Sequence, residues 1–91
     1  MSEQKVLDKF NAIFSRREDS HGDYADIARV SQALKRAVRS GGSWMGMDDV
    51  AKESLDLKCT KMARICCGEA EFEDHWLDDA GYTILKLARM L

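Results

Sequence analysis

Ninety-one residues, 45% hydrophobic and 33% charged, place the chain in the globular class and size it for one small domain. A formal net charge of −2 excludes a global attraction for nucleic acid, which makes a nucleic-acid partner unlikely on charge grounds. No apolar run approaches the ~18–20 residues of a membrane span and no signal-peptide core follows the charged N-terminus, so the expectation is a cytoplasmic protein with no membrane partner.

The absence of proline, with glycines gathered in a few places, predicts an all-α chain. The first helix, about residues 3–18, carries Val6, Leu7, Phe10, Ile13 and Phe14 at helical spacing. Ser20-His21-Gly22-Asp23 then reads as a turn ending in an N-cap residue. The second helix, 24–39, aligns Tyr24, Ile27, Ser31, Leu34 and Val38 on one face and Arg29, Gln32, Arg36 and Arg39 on the other. Ser40-Gly41-Gly42-Ser43 opens a loop that holds Trp44. The third helix spans about 48–67, with Gly68 expected to close it in a left-handed conformation. The fourth spans about 74–90. Four helices in one domain predict a compact bundle whose apolar faces favour a homodimer.

Cys59 and Cys66 stand seven residues apart, about 10 Å of helical rise, which exceeds the ~7 Å between Cα atoms that a disulfide tolerates. Reduced thiols are expected. Cys66 and Cys67 lack C-x-x-C spacing, which argues against structural zinc.

Successive turns of about 100° sort the polar side chains of the last two helices. On the third, Val50, Leu57 and Ile65 centre an apolar stripe that also contains Lys61. Glu53 and Arg64 flank this stripe, and Asp56 points farther toward solvent. On the fourth, Leu77, Ala80, Ile84, Leu87 and Leu91 form the expected buried face, with Trp76 in the apolar arc. Asp74 and Asp78 border that face, whereas Asp79 and Lys86 project outside. Gly81, costing up to ~1 kcal/mol inside a helix, suggests close approach by a neighbour. A lysine on a core-facing stripe calls for an acid, and Asp78 is the expected partner of Lys61. Two readings stay open. In one, the pair fixes helix register and binds nothing. In the other, Glu53, Asp74 and Asp78 converge on a divalent cation while Lys61 or Arg64 balances phosphate charge.

His21-Gly22-Asp23-Tyr24 and the run from Ala28 to Lys35, with Lys52-Glu53-Ser54-Leu55-Asp56, Lys61-Met62-Ala63-Arg64-Ile65 and the closing 74–82 segment, resemble a family of small bacteriophage and prophage proteins. The resemblance covers about residues 16–91. That family is distantly similar to the MazG-like all-α nucleoside triphosphate pyrophosphohydrolases, helical bundles that hold magnesium with carboxylates from two helices. The resemblance implies Mg²⁺ at Glu53, Asp56 and Asp78, with Asp74 able to substitute from one turn earlier, in a bacterial host cell. The functional reading of the residues adds Lys61 to Glu53 and Asp78 in catalytic roles and sets His21, Asp23, Arg64 and His75 against the substrate. This sequence departs from the MazG-like pattern twice: Lys52 stands where a leading Glu is usual, and His75 replaces the Glu of the second motif.

From the residues themselves, His75 reads as a first-turn surface residue unless it acts as a ligand or general base. Asp23 reads as a cap. Arg29, Arg36 and Arg39 read as a solvated face unless they meet phosphates or an acidic partner. Trp44 is either a buried loop anchor or a partner contact. Two functions are therefore expected in competition: magnesium-dependent hydrolysis of a nucleoside triphosphate, or non-enzymatic binding that inhibits or modulates a host protein.

Overall fold

The computed structural model describes residues 2–91, and the side chains of all of these except residues 14–21. Four α-helices follow in order, α1 Glu3–His21, α2 Tyr24–Arg39, α3 Asp49–Cys67 and α4 Glu73–Met90, with a 3-10 turn at Trp44–Gly46. The described residues contain no strand. The all-α expectation and the helix boundaries hold to within a few residues. No helix among the described residues is long and apolar enough to cross a membrane.

Local chemistry fixes the starts of the helices. The Asp23 carboxylate accepts from the Asp26 backbone N–H, and the Asp48 carboxylate accepts from that of Ala51, each satisfying an orphan donor of a first turn. Gly22 precedes the first of these caps at φ 87°, and a Cβ there would overlap the Cys67 carbonyl group. Both the left-handed backbone and the contact with the end of α3 require glycine. Gly68 differs from expectation: it closes α3 at φ −119°, ψ −137°, and its N–H donates to the Arg64 carbonyl. It therefore needs no left-handed residue.

α3 is the central element, packed on α2 along one side and on α4 along the other. The core is built from small side chains. Ile27, Ala51, Cys59, Ala63 and Ile65 are its buried apolar members, joined by Ser31 and Ser54. Ser31 and Thr60 hydroxyls meet at 3.4 Å across the α2–α3 seam. Small residues let the two helices approach closely, but they bury little area each. The molecule is correspondingly elongated, 50 × 27 × 27 Å. On α1, Leu7, Phe10 and Ile13 remain exposed; Phe14 lies outside the described side chains.

The orientation of α4 reverses the expectation. Its ionic side, not its apolar arc, faces α3. His75 is fully buried, and Asp79, Tyr82 and Lys86 are half-buried on the same side. Leu77, Ile84, Leu87 and Leu91, expected in the core, are exposed, as is Trp76. Trp76 instead pins the preceding loop, its indole N–H donating to the Ala70 carbonyl at 2.6 Å. A Cβ on Gly81 would meet nothing within 4 Å, so no neighbouring helix of this chain approaches it.

Candidate functional site

The half of α3 that follows Lys58 meets the first half of α4 through lysine–carboxylate contacts. Lys61 is 7% exposed, and its ammonium lies 2.8 Å from Asp78 Oδ2. The expected pair is therefore present, with an asymmetry: the cation is buried while the carboxylate side chain is half exposed. One turn earlier on α3, Lys58 donates to the Thr83 hydroxyl at 2.6 Å and lies 3.5 Å from Asp79 Oδ1. Asp79 thus turns toward α3, correcting its expected outward position. Lys86, also expected outside, reaches Asp48 at 3.3 Å. These contacts tie α4 to α3 along its ionic side.

His75 sits at the top of this seam. It has no exposed surface, and its ring meets Phe72 edge-on at 4.9 Å between centroids. The surface expectation for His75 is corrected: helix α4 begins pressed against α3, and the imidazole fills the gap between them. A sealed imidazole offers an incoming substrate no contact surface.

The Lys61 ammonium, donating to Asp78, holds that carboxyl below its ordinary 3.8, with Lys61, His75 and Arg64 charges acting in the same direction. A depressed folded-state pKa stabilises the fold above the unfolded pKa of about 3.9, and that stabilisation is lost as pH falls through the folded value. Urea midpoints measured against pH should therefore fall less steeply below about pH 4 in Asp78→Asn than in the parent. Identical acid limbs would contradict the pairing.

The remaining residues singled out from sequence do not gather at this seam. Glu53 is exposed on α3 two turns before Lys61, and Asp74 is exposed in the first turn of α4. Asp56, expected to face solvent, is half-buried and accepts from Arg39 at 3.0 Å, bracing α2 on α3. Asp23 is occupied as a cap, and the side chain of His21 lies outside the described residues. Arg64 is half-buried. Among the described residues no three of His, Cys, Asp and Glu stand close enough together to hold a metal ion. Two of the four carboxylates expected around magnesium, Asp56 and Asp78, each carry a cation of this chain instead.

Of the three thiols, burial pushes Cys59 up, and burial with the neighbouring Asp26 carboxylate pushes Cys67 up, whereas Cys66 is exposed. Arg29 pairs with Asp26 at 2.6 Å within α2. At the far end of the molecule, Trp44 is half-buried beneath two cations, Arg39 at 5.9 Å and Lys52 at 5.8 Å from its ring. Met45 beside it is 85% exposed, and Arg36 is exposed one turn away from Arg39.

Sequence reasoning missed Lys58, Asp79 and Lys86 as seam residues. A usable signal existed: Lys58 and Lys61 are three apart on α3, and Asp78 with Asp79 lie in the second turn of the facing helix, so two cations and two acids match in register. Also missed was an apolar groove of about 670 Å³ beside the C-terminal half of α4, floored by Met47, Leu55, Leu87 and Met90.

Comparison with family models, with curated proteins and with solved structures finds no match to this chain.

Proposed function

We propose that this chain is a non-catalytic protein-binding module of bacteriophage or prophage origin, a homodimer that acts on a host protein in the bacterial cytoplasm. The observation that carries this reading is the use of the acids. Asp56 and Asp78 neutralise Arg39 and Lys61, and Asp79 and Asp48 neutralise Lys58 and Lys86. Such pairs set helix register and commit Asp56 and Asp78, two of the four acids a magnesium site would use, to cations of this chain, while Glu53 and Asp74 stay exposed and apart from them. The surface that suits a host partner is the corner made by Arg36, Arg39, Trp44 and Met45, where an aromatic ring and an exposed thioether sit among cations. Aromatic and arginine anchors of this kind dominate protein interfaces.

The competing reading, magnesium-dependent nucleotide hydrolysis, requires Glu53, Asp56, Asp74 and Asp78 to converge on one cation. Calorimetry with Mg²⁺ and Mn²⁺, with a nucleotide panel assayed for pyrophosphate release, separates the two. Expected are no metal-dependent turnover and a Glu53→Gln variant with unchanged biological activity. Pyrophosphate release that disappears in Glu53→Gln would overturn the binding-module reading.

A further inference from the structure

α4 is inside out for an isolated chain. Its ionic side is spent on α3, and its apolar side chains face outward: Leu77 is 58% exposed, Ile84 63%, Leu87 48% and Leu91 98%. Together with Ala80 they follow one another at spacings of three, four, three and four, the a/d pattern of a helix-pairing seam. The flanking positions, Trp76, Gly81, Thr83, Ala88 and Met90, are all uncharged, and the one cation that reaches this rim, Lys58 at the Thr83 hydroxyl, has Asp79 3.5 Å away to balance it. Gly81, with nothing near its missing Cβ, leaves room for a close approach on this side. α1 packs on α2 and α3 and does not supply the cover.

The exposed surface is large enough to seat a second copy. The chain exposes 6771 Å², whereas a compact monomer of this mass exposes about 5,400 Å². Its radius of gyration is 16.1 Å, against about 12 Å for a compact chain of this length. The surplus of roughly 1,400 Å² exceeds the ~800 Å² that each partner contributes to a standard stable interface. An uncharged, evenly spaced seam is complementary to itself, which is what a twofold interface demands of one surface patch.

We propose that a second copy of this chain covers the outward seam of α4, pairing α4 with α4 across a twofold axis. This interface rests on the homodimer reading above and assigns it a surface.

Sedimentation of the full chain across a range of concentrations tests it. The parent is expected at twice its 10.3 kDa mass. Ile84→Glu and Leu87→Glu each place a carboxylate on the seam and should weaken dimerisation by about 30-fold or more, with helical circular dichroism retained because neither side chain is in the core of its own chain. Leu7→Glu, on the exposed ridge of α1, should remain dimeric. A parent that stays dimeric while both α4 variants also do would overturn this interface and leave the homodimer reading standing. Loss of the dimer in Leu7→Glu alone would assign the interface to α1 and overturn the α4 pairing. A parent that is monomeric at all concentrations would overturn both.

Discussion

Gly22→Ala is expected to destabilise the fold by at least ~2 kcal/mol. Two separate costs add at this position. The backbone is at φ 87°, where an L side chain crowds the following carbonyl, and the new Cβ would collide with the backbone of Cys67 at the end of α3. Neither cost can be relieved by a rotamer change, because the obstacle is backbone. The turn that links α1 to the capped start of α2 would have to lift off α3. Gly42→Ala is the natural control: a Cβ there meets nothing within 4 Å, and its effect should stay within about 0.5 kcal/mol. Chemical denaturation of the two variants checks the contrast, and equal midpoints would show that the His21–Tyr24 turn does not lie against α3.

His75→Ala should cost about 3 kcal/mol, a fall in melting temperature of more than ~10 °C for a domain of this size. Among the described residues the imidazole is the largest wholly buried side chain, in the first turn of α4 and edge-on to Phe72. Its truncation leaves a cavity beside Phe72 at the start of α4. His75→Leu restores most of the volume and should recover part of the loss. Recovery by leucine identifies packing as the role of the residue. An alanine variant that melts with the parent would mean that α4 starts away from α3.

The helices were readable from sequence because their signals are local. Asp23 and Asp48 cap, glycines and serines interrupt, and the apolar positions recur at helical spacing. The Lys61–Asp78 pair was readable for a related reason: a lysine amid Val50, Leu57 and Ile65 has a burial problem that a nearby acid solves. The rotation of α4 was not readable from the same rule. Projection assigns the apolar arc to the interior, and Leu77, Ile84, Leu87 and Leu91 form the most apolar arc on that helix. The structure places His75, Asp79, Tyr82 and Lys86 on the α3 side instead: Lys58 of α3 meets Asp79, its cap residue Asp48 meets Lys86, and Lys61 meets the adjacent Asp78. A seam held by several ion pairs outcompetes the apolar arc for α3 only when that arc has another surface to meet, which is the physical link between the α3–α4 seam and the proposed dimer. The motif residues His21, Asp23, Arg64 and His75 were read as substrate contacts. Three of those four have described side chains, and among these Asp23 caps a helix and His75 fills a core. Gly22, at the centre of the same motif, is required by close packing.

The decisive measurement is a urea-denaturation cycle on the Lys61 ammonium and the Asp78 carboxylate, comparing Lys61→Met, Asp78→Ala and the double variant with the parent at neutral pH and low salt. Removing the acid alone strands a cation that is 7% exposed, so Asp78→Ala should lower the midpoint clearly, while Lys61→Met leaves a half-exposed carboxylate that water can serve and should change it little. In the Lys61→Met background the loss of the acid should then have almost no further effect. Equal and additive losses from the two single variants would mean that the two charges do not meet in a dry seam, and that α4 is not held by its ionic side.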